Sequence, residues 1–255
     1  TYKVQLRVVD GLTGNAVSGA TVYFYDNNLV RVDVATTDST GIATSNIEFA
    51  SGSTLYVQVH ASNYYTSPLR SFVVPRTTEY RDTVSLGSVS IYAISTSVSL
   101  SGTVSTGDTL DNDTENTTIS ASDAFSVTLI IQNLDEDSVF GSGYYKDYES
   151  DKEYRGPIIV VKVADPTLFS IETIPDGSKT IGSATYYWWF IDPIVNDADD
   201  ASDGTFSFTV SFDIVSSGTS QITFYVYDTM YLAALNSGAF GTADAYLADT
   251  FVVSP

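Results

Sequence analysis

His60 is the sole imidazole in 255 residues, and the chain has no cysteine. A Ser-His-Asp triad would have to run through His60, yet no G-x-S-x-G elbow accompanies it. Leu55, Val57 and Val59 alternate with Tyr56, Gln58 and His60, which sets the imidazole on the outward face of a strand. One histidine and no thiolate leave zinc with carboxylates alone. Neither a P-loop nor a G-x-G-x-x-G phosphate loop occurs. Carboxylates, in contrast, number 31. Paired acids are what glycosidases use, but there they are single residues in an aromatic-ringed cleft. Here they come in runs, so the sequence reads as that of a protein that is not an enzyme.

Runs of alternating oxygen ligands suit calcium, which takes six to eight oxygens. Asp111, Asp113 and Glu115 have that spacing, as do Asp197, Asp199 and Asp203 before Gly204. Neither set fits the twelve-residue EF-hand loop. Calcium is therefore the one cofactor expected, against the alternative that these are solvated acidic loops. Two overlapping sequons, at Asn112 and Asn116, mark glycosylation candidates. Trp188 and Trp189 are adjacent in a strand, so one ring should point inward and the other outward. The outward one is a candidate interface anchor or sugar platform. Lys162 shares a face with Ile158 and Val160. It is a candidate isopeptide donor, or a lysine that snorkels or pairs with a carboxylate.

These residues must be positioned by β-structure. Tyrosine (18) and phenylalanine (13) are abundant, charged residues make up only 16%, and polarity comes mostly from Ser, Thr, Asn and Tyr. The longest apolar runs are strand length, far short of the roughly 18 residues that span a bilayer, so membrane insertion is not expected. The net charge of −20 disfavours nucleic acid and anionic membranes as partners. Residues 1–90 hold six Lys/Arg against seven Asp/Glu, while 91–255 hold five against 24. That step marks a domain boundary, placed between Leu86 and Ile91. The start at Thr1 reads as a mature product whose leader has been removed.

In the first part, Tyr2, Val4, Leu6 and Val8 alternate with Lys3, Gln5 and Arg7, and seven short strands follow one another between turn signals. Three motifs stand in order: Val8-Val9-Asp10 leading to Thr13-Gly14-Asn15-Ala16-Val17-Ser18-Gly19-Ala20-Thr21-Val22, then Thr37-Asp38-Ser39-Thr40-Gly41-Ile42-Ala43, then Leu55 to Tyr64. Together they resemble carboxypeptidase-regulatory-like domains. Ala16 stands where that pattern has proline, and Asn63 where it has glycine. Asn is tolerant of the left-handed conformation the turn needs. The resemblance covers about a third of the chain. It implies a seven-stranded transthyretin-like sandwich that serves as spacer, stabiliser or adhesion element.

From Ser88 the strands lengthen and the loops turn acidic. Ala124–Gln132, Pro157–Ala164, Thr185–Ile191, Thr205–Val215 and Ser220–Asp228 read as strands, Thr229–Asn236 as helical turns closed by Gly238, and Ala248–Val253 as a last strand. The phrase Phe125 to Asn133 is similar to strands of prokaryotic surface-layer and extracellular-fibre subunits. The fold expected is all-β: two antiparallel β-sandwich domains, 1–88 transthyretin/Ig-like and 89–255 a larger, acidic, jelly-roll-like or Ig-like assembly domain. The function expected is a structural subunit of a filament, surface layer or virion surface, located extracellularly. Its partners would be copies of itself or other subunits. The alternative is a monomeric adhesion or carbohydrate-binding module with glycans as partners. Assembly is expected to use Trp188 or Trp189, or the C-terminal strand with Phe251, Val252 and Val253 inserted into a neighbour.

Overall fold

A computed structural model of the chain describes residues 1–94, 98–112, 116–132, 144–191 and 205–255. They form two units. The first comprises Thr1–Ile94 together with Tyr145–Lys152, and the second holds the remaining described residues.

Residues 1–94 of the first unit form seven strands: β1 (Lys3–Asp10), β2 (Thr21–Tyr25), β3 (Arg31–Thr36), β4 (Ile42–Thr44), β5 (Thr54–His60), β6 (Arg70–Val73) and β7 (Thr83–Ile91). They build one sheet in the order β4-β1-β7 and another in the order β3-β2-β5-β6. The period-2 pattern is the cause. Val4, Leu6 and Val8 from one sheet and Val22, Phe24, Val57 and Val59 from the other are sealed from solvent in a common core. The Asp38–Gly41 turn is closed by the Asp38 carboxylate, which accepts from the N–H groups of Thr40 and Ile42 and from the Thr40 hydroxyl. Gly41 has φ +76°, and a Cβ there would lie 2.6 Å from the Val8 carbonyl, so only glycine fits. Asn63 adopts φ +65°, the left-handed conformation its place in the motif called for.

The second unit is larger. Its strands are β8 (Ser99–Val104), β9 (Thr109–Leu110), β10 (Thr117–Ser120), β11 (Phe125–Gln132), β12 (Tyr144–Asp147), β13 (Lys152–Arg155), β14 (Ile158–Val163), β15 (Phe169–Ile171), β16 (Gly177–Ile181), β17 (Ala184–Phe190), β18 (Thr205–Ile214), β19 (Gly218–Tyr227), β20 (Met230–Tyr231) and β21 (Ala245–Ser254); helix α1 is Leu232–Ser237. The strands β12 and β13 straddle the division, since residues 145–152 belong to the first unit. A six-stranded sheet, β10-β21-β19-β14-β17-β16, and a five-stranded sheet, β15-β18-β11-β8-β9, enclose one core. Phe125, Phe169, Phe212 and Phe251 meet there, with Phe125 and Phe212 stacked at 4.9 Å. The alternating face Phe206, Phe208, Val210, Phe212, Ile214 turns inward as its pattern required. Helix α1 ends on Gly238 at φ +82°, whose N–H reaches the Leu235 carbonyl.

Both units are all-β sandwiches, but each contains a parallel pair. Strand β1 runs parallel to β7, and β10 runs parallel to β21. The boundary also differs from the one expected at 86–91. Strand β7 passes through that segment paired with β1, and Val89 and Ile91 are buried, so the first unit extends to Ile94. The charge step marks where acids begin and says nothing of where pairing ends.

Candidate functional site

The arrangement with most mechanical consequence is the β1–β7 ladder. Eight residue pairs run in parallel from Lys3↔Thr83 to Asp10↔Ile91, with one bulge beside Gln5 and Leu6. The chain enters the unit at one end of this ladder and leaves at the other. A pull on the two ends therefore slides β1 against β7 along their common axis. The ladder bonds share that load and must yield together, whereas an antiparallel pair pulled from adjacent ends peels one bond at a time. In the second unit the last strand also has a parallel neighbour: β21 pairs in parallel with β10 from Thr117↔Phe251 to Ser120↔Ser254, and antiparallel with β19 on its other side.

The outward face of β2 and β5 is not open to solvent. Residues 145–152 lie on it. The Gln58 side chain is fully buried there, its amide N–H groups donating to the carbonyls of Ser67 and Lys146 and its Oε1 accepting from Tyr148 N–H. His60 Nε2 lies 3.3 Å from Asp147 Oδ1, and its ring meets Tyr23 edge-on at 4.9 Å. Glu149 accepts from the Tyr25 hydroxyl at 2.8 Å and from the Arg31 guanidinium at 2.5 Å. Burial, reinforced by the Glu149 hydrogen bond and charge, pushes the Tyr25 phenol well above its ordinary value. His60 thus stands on the outward face, as its alternation predicted, and is held in a structural contact. At the end of the β1–β7 ladder, burial alone would raise the Asp10 carboxyl. Hydrogen bonds from Thr13 N–H, the Tyr64 hydroxyl and Leu12 N–H outweigh this and hold it below the usual range.

In the second unit the outward face of β14 and β17 is covered by apolar groups. Trp188, Ile158 and Val160 form a separate small core with Tyr227, Met230 and Leu235. Phe240 stacks on Tyr186 at 4.9 Å and tilts against Trp188 at 6.3 Å. Gly177 lies opposite Trp188, and a Cβ there would sit 2.3 Å from the indole. Trp189 points into the main core, with its indole N–H donating to the Ile174 carbonyl at 2.9 Å. Burial, followed by the nearby Tyr225 and Asp244, pushes the Tyr227 phenol up to about 12.

The expected alternation of the two tryptophans is present, yet neither ring is a surface anchor, since Trp188 is 6% and Trp189 5% exposed. The donated C-terminal strand is corrected too. Phe251 and Val253 are buried, Val252 is half-buried, and β21 lies between β19 and β10 of its own sheet. A terminal strand satisfies its own edge before it can satisfy a neighbour's. Of the residues expected to ligate calcium, Asp111 is described and exposed, while Asp113, Glu115, Asp197, Asp199 and Asp203 lie outside the described residues. Among the described residues no group of three metal-ligating side chains gathers. Asn112 and Asn116 are exposed, and the Asn112 Oδ1 accepts from Ala248 N–H at 2.5 Å. Lys162 places Nζ 5.8 Å from the centre of the Tyr186 ring. Sequence reasoning missed the cover on Gln58, whose partner Tyr148 lies 90 residues downstream. A polar residue inside the run Val57-Gln58-Val59 was the only local signal.

No family model matches the chain, and no curated protein matches it. Among solved structures, the chain is similar to BcpA, the major pilin subunit of Bacillus cereus, at 13% identity and TM-score 0.38, covering 100% of this chain and 69% of that one. It is similar to the full-length major pilin SpaD of Corynebacterium diphtheriae at 9% identity and TM-score 0.35, with 98% and 64% covered. The RrgB pilus protein of Streptococcus pneumoniae matches at 7% identity and TM-score 0.40, with 89% and 48% covered.

Proposed function

We propose that this chain is a non-enzymatic, tension-bearing structural subunit of an extracellular assembly. The observation that carries the reading is the parallel ladder between the first and last strands of the first unit, which places that unit in shear when it is pulled from its ends. The parallel exit strand of the second unit supports it. Covering the outward faces of β2/β5 and β14/β17 adds packing that must also be broken before either sandwich opens. Exposed Asn112 and Asn116 fit an extracellular, glycan-bearing surface. On this reading the acidic loops at 111–115 and 197–203 serve solubility and bind calcium as an auxiliary stabiliser. The partners are further copies of the chain or other subunits of the same assembly. The adhesion-module reading loses its sugar platform with the burial of both tryptophans. Electron micrographs of the native material test the proposal. Regular particles or fibres that bind an antibody against this chain are expected, and labelling confined to dispersed monomers would contradict it.

A further inference from the structure

Each sandwich sheet ends in two edge strands, and three of the four in the first unit are blunted. Strand β4 is only three residues long. Strand β3 carries Arg31 and Asp33, and the Asn46 amide donates to its Val34 carbonyl at 2.7 Å. Strand β6 has four residues, carries Arg70, and lies between Pro68 and Pro75. Strand β7 is the exception. It has nine residues, no charge and no proline, and among the described residues β1 is its only neighbour in the sheet.

Two hydrogen bonds fix which backbone groups of β7 are free. Lys3 N–H donates to the Asp82 carbonyl and Gly11 N–H to the Ile91 carbonyl, so residues 82 and 91 face β1. Alternation from both ends, across the bulge at Leu86 and Gly87, turns the N–H and C=O groups of Thr83, Ser85, Ser88 and Ser90 away from β1. Beyond them the edge closes, because the Tyr92 carbonyl accepts from Tyr65 N–H. A groove of about 390 Å³ lies alongside, between β7 and β6, and Arg70 is the only charge among its lining residues. An open, uncharged edge with space beside it is a template for an added strand.

We propose that the occupant is β7 of a second copy of this chain, paired antiparallel, so that β4-β1-β7 continues into the partner's sheet. Two features choose a copy over a foreign strand. The side chains along the open edge are Thr83, Ser85, Ser88 and Ser90, and each hydroxyl both donates and accepts, so the row is complementary to itself. A row of one charge would not be. Residues 1–94 and 145–152 of the first unit also carry eight bases against ten acids, while the rest of the chain carries three against 21. Two copies therefore repel least where their first units meet. The contact rests on the subunit reading above and supplies one of its joints.

The test uses the full chain. Sedimentation equilibrium across micromolar to millimolar concentrations is expected to show a monomer–dimer equilibrium, with the Ser88 and Ser90 amides exchanging hydrogen more slowly as dimer accumulates. Placing Ser88→Lys and Ser90→Lys together brings four like charges into the pairing and is expected to weaken dimerisation at least tenfold. The Ser88→Thr, Ser90→Thr variant should keep the dimer. If the lysine variant does not fold, the exchange measurement on the unmodified chain decides alone. Association with unprotected Ser88 and Ser90 amides, or association undiminished in a folded lysine variant, overturns the β7 contact and leaves the subunit reading standing. A chain that stays monomeric at every concentration overturns the β7 contact alone, because the subunit reading also admits other subunits as partners.

Discussion

The two units cover an outward sheet face by opposite means. On the first, residues 145–152 meet β2 and β5 through polar groups: Gln58 makes three hydrogen bonds, and Glu149 takes both Tyr25 and Arg31. On the second, the segment from Met230 to Phe240 meets β14 and β17 through Trp188, Phe240 and Leu235. The polar cover gives specificity, because each buried donor or acceptor must find its own partner. The apolar cover gives more stabilisation per residue, because it removes large rings from water. Alternation in a strand says which side faces the core of its sandwich. It is silent on whether the other side is later roofed over.

Truncating the apolar cover should have the largest effect. Trp188→Ala is expected to destabilise the second unit by about 3–5 kcal/mol, the range for a large buried aromatic. Differential scanning calorimetry should show that loss in one transition, with the first unit's unchanged. Gln58→Ala should cost the first unit about 1–3 kcal/mol, because it strands the Lys146 and Ser67 carbonyls and Tyr148 N–H without their partner. If the Gln58 loss equalled the Trp188 loss, the contrast between the two covers would collapse.

The tyrosines under the covers sharpen the comparison with pH. Both Tyr25 and Tyr227 have raised folded pKa values, so both bind their protons more tightly in the folded state. The stability this gives is complete below the unfolded value of about 10 and is lost as pH rises. For Tyr227 the window runs from about 10 to about 12. Tyr227→Phe should flatten the alkaline loss of the second unit there, and Tyr25→Phe should do so for the first. Asp10 has the opposite sign. Its depressed pKa contributes stability above the usual carboxylate range and loses it as pH falls through the folded value, so Asp10→Asn should flatten the acid limb of the first unit. The smallest effect is expected from cations. Millimolar calcium should raise the melting temperature of the acidic second unit and leave the first unmoved, and chelator should reverse the change.

Period-2 patterning made the long strands legible: Tyr2–Val8 and Thr205–Val215 lie where their alternation put them. The Asp38–Gly41 turn and the Asn63 conformation were readable from side chains that close turns or tolerate positive φ. Short edge strands such as β9, β15 and β20 were not, because two or three residues carry no period. The burial of Trp188 and Gln58 was hidden for another reason. Each depends on a segment distant in sequence, and a residue's own strand holds no record of that partner. Parallel pairing of β1 with β7 was equally invisible, since alternation is the same whichever way a neighbour runs.

Whether the β1–β7 ladder resists tension is read directly by single-molecule force spectroscopy. The chain has no cysteine, so introduced thiols define the points of attachment. With Thr1→Cys and Ile94→Cys the pull runs along the parallel ladder in shear. With Thr1→Cys and Ser51→Cys it draws apart the Tyr2–Phe49 bridge and the antiparallel β1–β4 pair from adjacent ends. The expectation for a parallel ladder that carries the load is a first unfolding event at clearly higher force in the first geometry than in the second. Equal forces in the two geometries, or a weaker first geometry, would contradict it.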